Sequence, residues 1–455
     1  MLSRQLKSTG MFRMQRLKIL VIGQCTLHWG RMEYGNIGNY YIVEPFVREL
    51  HRVFPNSEIR TTFQMSQEFC QRENVIALPI EYYYSWNPGD LETALLELSI
   101  AELYHKTGHL VKATPYINEV LESDIVIDFS GDIWGDNADF LGENRFLIGL
   151  CKDRVAQLLG KPTVMLAGSP GPFKNQKTET FAKEVFSNFS FVTNREPIST
   201  RVLEEEGFDI SKVVNLACPA FLFEPAKPEK LKALFADRRL NDNGRPTLGF
   251  ILCGWNFTEG PFDKHPRNDN EYIQFAEAVE YISENLGAKV VLMSHSNGFK
   301  VPPAKFELIH GRDYPIIKQL QKVLDERGIA RNVVSIDGIY DPWTTKAIIG
   351  SFDMMVSGRV HGAVAGLSQC VPTVMIDYGH EPKAHKIRGF AEVAGVGEYV
   401  ADPSSPEDLI KKIQLCWNNR HKYREHLLKR IPEVKIMAKQ NFELLQNITR
   451  SEKTV

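Results

Sequence analysis

Short apolar runs alternate along the chain with longer segments in which apolar positions recur at helical spacing, the pattern written by parallel sheets flanked by helices. In the first half LKILVIG, SDIVIDFSG, KPTVMLAGS and FSFVTN predict buried strands; in the second, RPTLGFILCG, AKVVLMSHS, NVVSID, FDMMVSG and PTVMID do. Between them DLETALLELSIAELYH and NEYIQFAEAVEYISENLG predict amphipathic helices, the latter with apolar residues at Ile273, Phe275, Ala276, Val279 and Ile282. The stretch FEPAKPEKLKALFADRRLNDNGRP, rich in Pro and charge, separates the two series and predicts a connection with a helix inside it. The fold class that follows is α/β: two tandem Rossmann-like domains facing a cleft. Their expected bounds are 18–225 and 247–405, joined by a linker over 226–246 and followed by a charged helix pair over 406–455.

Length and charge narrow the classes of function. At 455 residues the chain is too long for one ordinary core, which agrees with two domains. A formal net charge of −2 and the lack of a long basic tract argue against nucleic acid as a partner. No apolar run is long enough to cross a bilayer. The opening MLSRQLKSTGMFRMQRLK is basic and bears Ser and Thr, but it has no secretory apolar core; residues 1–17 read as a disordered leader, with a weak organelle-targeting peptide as the other reading. Seven scattered cysteines without a CxxC pair imply reduced thiols, a cytoplasmic protein and no zinc site.

In open parallel sheets ligands sit outside the carboxyl ends of the strands, so chemistry is expected just after strands. SDIVIDFSG runs into Asp132 and Asp136, FSFVTN into Arg195-Glu196, VVLMSHS carries His295, and FDMMVSG runs into Arg359 and His361. A loop after the first strand holds Asn36 and Asn39 within GNIGN, whose glycines let backbone approach a ligand. Each has a plain structural reading. Arg195 and Glu196 can be a helix-start ion pair, His295 a buried core histidine, Asp132 and Asp136 helix caps, and Arg359 a cation paired internally. Taken together, one arginine from each domain and a histidine, all at strand ends on one cleft, suit a small dianion or trianion.

From about Lys18 to about Val400 the order of motifs resembles the polysaccharide pyruvyl transferases, whose fold is similar to the B-type glycosyltransferases. The motifs are GNIGN, SGDIWGD, AGSPGPF, NRE with Ser199, CPAF, SHS, GRVHG, and IDYGHEPKAHK. Asn39 and Cys218 stand where that family carries acids. The resemblance implies phosphoenolpyruvate as donor and a sugar or glycan, free or carrier-linked, as acceptor, with no redox cofactor and no metal. It assigns the donor's phosphate and carboxylate to Arg195, Arg359 and a lysine, Lys386 by its spacing to Gly395, with Lys383 the alternative. His361 becomes the proton donor and Asp132 a base or acceptor-side hydrogen-bond partner. Asn36, Asn39, Asp136 and His295 fall on the acceptor side. Two other functions stay open at this point. One is a nucleotide-sugar glycosyltransferase of the same fold, for which Asp337 and Asp341 are available; the other is a non-catalytic relative that binds a sugar or anion.

Overall fold

A computed structural model describes residues 16–24, 35–140, 142–230, 244–300, 307–309, 311–329, 332–380 and 385–451. Residues 1–15 of the expected leader, positions 231–243 of the connection, and Lys383 lie outside the described residues.

Each apolar run read as a strand is one. The first sheet contains β1 (Lys18–Ile22), β2 (Glu58–Thr61), β3 (Val75–Ala77), β4 (Ile125–Asp128), β5 (Thr163–Gly168), β6 (Val192–Asn194) and β7 (Val213–Asn215), in the order β3-β2-β1-β4-β5-β6-β7. The second contains β8 (Thr247–Ile251) and β9 (Lys289–Leu292). After the small antiparallel pair β10 (Gly298–Lys300) and β11 (Glu307–Ile309) it is completed by β12 (Val333–Ser335), β13 (Met354–Ser357), β14 (Thr373–Ile376) and β15 (Val400–Ala401). Its order is β12-β9-β8-β13-β14-β15. Within each large sheet the pairings are parallel. Helices cover both faces, so central strands such as β4 and β13 are buried along their whole length and read as unbroken apolar runs. The strand order reverses between β1 and β4 in one sheet and between β8 and β13 in the other, the places where a doubly wound domain opens a crevice.

The domains meet through one continuous apolar core that takes in Ile19 and Ile127 of the first sheet and Phe250 and Met355 of the second. At the junction Tyr41 stacks on Phe223, ring centroids 4.6 Å apart, and Phe221 faces Phe390. Instead of a helix pair confined to the surface, one long helix, Pro406–Glu443, precedes the short helix Leu445–Ser451 and straps the domains together. On the second domain the Tyr423 hydroxyl donates to the Thr373 carbonyl at 2.9 Å; on the first, Asn441 Nδ2 donates to the Ala217 carbonyl at 2.9 Å and Phe442 packs on Phe46. Its inward face is apolar because it lies over the junction of two cores. Among the described residues no helix is long and apolar enough to cross a membrane.

Candidate functional site

The GRVHGA segment turns from β13 into the helix Val360–Leu367. A Cβ on Gly358 would stand 1.9 Å from Asn256 Oδ1, so only glycine fits where Asn256 donates to the carbonyls of Gly358 and Ile376 and ties the ends of β13 and β14 together. Arg359 follows, and its guanidinium forks onto Asp313, with Nε 3.2 and 3.1 Å from the two carboxylate oxygens. Asp313 is fully buried and also accepts the His295 amide at 3.1 Å. The cation in the most hydrophobic part of the chain is therefore paired internally, as its structural reading expects. His295 itself is fully buried, edge-on to Tyr41, and among the described residues neither ring nitrogen has a hydrogen-bond partner. Burial and the nearby Arg359 push its pKa down to about 3.

A second group assembles from both domains. The turn Gly131–Ile133 after β4 presents Asp132, and the residue after β6 is Arg195. Arg195 donates from Nε to Ser169 Oγ at 2.8 Å and from Nη2 to Asp132 Oδ1 at 3.3 Å. The other carboxylate oxygen of Asp132 accepts from Lys386, the first residue of the helix Lys386–Ala394 in the second domain. The Asp132 side chain keeps 33% of its exposure, whereas Arg195 keeps 1% and Lys386 15%, so the bridging carboxylate is the solvent-facing member. Burial opposes its charge, but Lys386 and Arg195 together hold its carboxyl well below the ordinary carboxylate range.

His361 joins this group. Its Nε2 is 3.9 Å from Cys218 Sγ, its ring meets Phe390 edge-on, and a Cβ on Gly38 would fall 2.6 Å from its own Cβ. The second glycine of GNIGN is thus needed for the loop to lie against the imidazole. Burial first, then Arg195 and Lys386, drive the His361 pKa well below its ordinary value, so the ring is neutral near pH 7.

The remaining candidates have local duties. Asn36 caps the helix Ile37–Val53, accepting the Gly38 amide at 3.0 Å, and its backbone bridges to Ser296 across the domain boundary. Asn39 is half-buried on the same turn, its amide bonded to the Asn36 carbonyl. Asp136 accepts the Asn175 amide at 3.0 Å, together with that of Lys174, and braces the AGSPGPF loop. The structure thus gathers Asp132, Arg195, Lys386 and His361, gathers Arg359 and His295 around Asp313, and uses Asn36 as a helix cap and Asp136 as a loop brace. Asp313 and His385 were not legible in the sequence: Asp313 lies 46 residues before its partner in GRDYP, with no spacing that marks it.

The family profile described as polysaccharide pyruvyl transferase matches residues 36–380, which include Asp132, Arg195, Arg359 and His361. The chain belongs to the polysaccharide pyruvyl transferase family. Membership supports a role in polysaccharide biosynthesis. A curated relative, the amylovoran biosynthesis protein AmsJ of Erwinia amylovora, is 21% identical over 439 residues, covering 93% of this chain and 97% of its own length. Among solved structures, this pyruvyl transferase family chain is similar in fold to Alr3699/HepE of Anabaena in complex with UDP (TM-score 0.54, 12% identity, 96% of this chain and 100% of that one). It is also similar to a putative UDP-N-acetylglucosamine 2-epimerase from Listeria monocytogenes (TM-score 0.56, 13% identity, 97% and 98%). These likenesses carry the fold, two Rossmann-like domains in the arrangement of B-type glycosyltransferases.

Proposed function

We propose that the protein transfers the pyruvyl group of phosphoenolpyruvate to a sugar or glycan as a cyclic ketal, with release of phosphate. The observation that supports this reading most is the partly exposed Asp132 carboxylate lying between Arg195 of one domain and Lys386 of the other. Two cations from opposite walls converge on one anion, and a phosphate or carboxylate of the donor takes the same pair of contacts.

The chemistry follows from that exchange. A donor anion bound by Arg195 and Lys386 brings negative charge beside His361; this opposes the burial that chiefly depresses the imidazole and offsets the two cations, and the ring takes up the proton that it delivers to the methylene carbon of the enol. The carbon bearing the phosphate becomes oxocarbenium-like and accepts an acceptor hydroxyl. Phosphate leaves with its bonding electrons, stabilised by the cations, and a neighbouring hydroxyl closes the ketal, its proton passing to the His361 imidazole left neutral by the first step. Asp132, released from its cations, recovers enough basicity to take the hydroxyl proton. Arg359 keeps its fork on Asp313; it adds positive charge and fixes the start of the helix that carries His361. The acceptor lies against the GNIGN loop, where Asn39 is half-exposed.

The carboxylates available to a nucleotide ribose are engaged elsewhere. Asp337 accepts from the Tyr314 hydroxyl at 3.0 Å, and Asp341 caps a helix through the Thr344 amide at 2.7 Å. The deciding experiment is phosphate release from phosphoenolpyruvate over a panel of hexose-containing acceptors, run beside UDP-sugars. His361→Gln is expected to bind the donor within about tenfold of wild type while turnover falls by roughly 100-fold or more. Turnover of a UDP-sugar with none of phosphoenolpyruvate overturns the proposal.

A further inference from the structure

Two helices from different domains meet beside the anion site. Pro197–Glu205 begins directly after Arg195-Glu196, and Lys386–Ala394 begins at Lys386, directly after His385. Glu196 caps the first helix, accepting the Ser199 amide at 3.1 Å, and the Ser199 hydroxyl donates to its other oxygen. The same hydroxyl lies 2.8 Å from His385 Nε2, which is in turn 3.5 Å from Glu196 Oε1. Because the single hydroxyl hydrogen goes to Glu196, this contact assigns a hydrogen to His385 Nε2, donated to Ser199 Oγ. Glu196 and Ser199 are fully buried. Gly389 approaches so closely that a Cβ there would stand 2.3 Å from Glu196 Oε2. At the exposed end Arg201 forks onto Glu392 at 3.1 and 2.7 Å.

We infer that Glu196, Ser199 and His385 are positioning residues that fix the Lys386 ammonium opposite Arg195, so that the anion site is complete only while this contact between the domains holds. The inference rests on the reading of Asp132, Arg195 and Lys386 as the donor's anion site. Its basis is a closed ring of contacts: Arg195 to Glu196 along the chain, Glu196 to Ser199 to His385 by hydrogen bonds, His385 to Lys386 along the chain, and Lys386 through Asp132 back to Arg195. A lysine side chain is flexible and has no preferred fork geometry, so its ammonium is placed by its backbone origin and its counterion. The Glu196–Ser199–His385 contact holds that origin from the buried side. The Arg201–Glu392 pair, half-exposed on both side chains, holds it only weakly.

The test reads Lys386 directly. Native protein is treated briefly with acetic anhydride, and acetylation of Lys386 is quantified by mass spectrometry against the exposed Lys411. Asp132→Asn, which removes the ammonium's partner, is the positive control. Ser199→Ala and His385→Ala are expected to raise the Lys386 rate relative to Lys411 by roughly three- to tenfold, the scale of one lost hydrogen bond. His385→Gln, which keeps an N–H donor, restores most of the protection. With phosphoenolpyruvate, kcat/KM of the two alanine variants falls by at least the same factor, and His385→Gln restores most of it. Unchanged Lys386 labelling in both alanine variants overturns the inference, whatever the donor proves to be. Raised labelling in a protein that does not turn over phosphoenolpyruvate sustains the positioning role and overturns the proposed function instead. Should Ser199→Ala not fold, His385→Ala, at a side chain with 15% exposure, carries the same reading.

Discussion

Arg195 and Arg359 occupy matching places on opposite walls of the cleft, each just beyond the end of a parallel strand, yet their counterions differ. Asp132, the partner of Arg195, faces solvent with a third of its side chain and is shared with a lysine of the other domain. Asp313, the partner of Arg359, is fully buried, takes both prongs of the fork and also accepts a backbone amide. An anion arriving from water can compete for the first carboxylate's contacts, because that carboxylate can return to water. It cannot compete for the second, whose release would strand a charge in the core. The same residue type at the same kind of strand end is thus fitted for ligand exchange on one wall and for support on the other.

The contrast is broken most directly at Arg359. Arg359→Ala leaves Asp313 buried without its cation and is expected to cost about 3–5 kcal/mol in urea-induced unfolding. Arg359→Lys should recover only part of this, because an ammonium does not reproduce the fork. A loss under about 1 kcal/mol would move Arg359 to the exchangeable class. Arg195→Ala should show the opposite balance. Phosphate release from phosphoenolpyruvate falls by roughly 100-fold or more, equivalent to about 2.7 kcal/mol. Its stability loss stays smaller than that of Arg359→Ala, since Asp132 keeps Lys386 and access to solvent.

The two domains also carry pH dependences of opposite sign. His295 and His361 in the second have folded-state pKa values below the unfolded value of about 6.5, so the unfolded chain binds more protons below that pH. Their contribution is full above about pH 6.5 and is lost as the pH falls, by up to about 1.4 kcal/mol per unit for each. In the first domain Asp128 and Asp153 are fully buried, Asp128 bonded to Ser130 and Asp153 to the Trp134 ring N–H. Burial raises both, and the Asp128 charge raises Asp153 further. Their contribution is full below the unfolded carboxylate value of about 3.9 and is lost as the pH rises. Unfolding free energies between pH 5 and 8 should therefore lose one proton's slope below about pH 6.5 in His361→Gln, and lose one proton's share of the falling slope in Asp153→Asn, Asp128 keeping its own. The smallest effect belongs to the exposed pair between the domains: Glu392→Gln is expected to change stability by less than about 1 kcal/mol.

Much of the architecture was written locally. Strands buried on both faces are apolar along nearly all of their length, so IVID of β4 and MMVS of β13, polar only at the last residue, announced themselves. The strands EIRT of β2, VIA of β3, VVN of β7 and VA of β15 went unread because they are short and partly exposed, and nothing local separates them from a turn. The glycines of GNIGN were visible as places of close approach, but that His361 lies against Gly38 was not, nor was the fit of Asn256 against Gly358.

The chain's order of apolar runs and strand-end charges is enough to specify two doubly wound domains and to bring Asp132, Arg195, Arg359 and His361 to notice, since each is tied to its strand by a few bonds of backbone; Lys386 came into view only through the family resemblance. Which charge neutralises which is of another kind. Asp132 is 63 residues from Arg195 and 254 from Lys386, and Ser199 is 186 from His385. Over such separations the unfolded chain holds no preference among partners. The choice is made only when the two sheets, their shared core and the long terminal helix place the strand ends within a hydrogen bond of one another and remove the water that would otherwise solvate each charge alone.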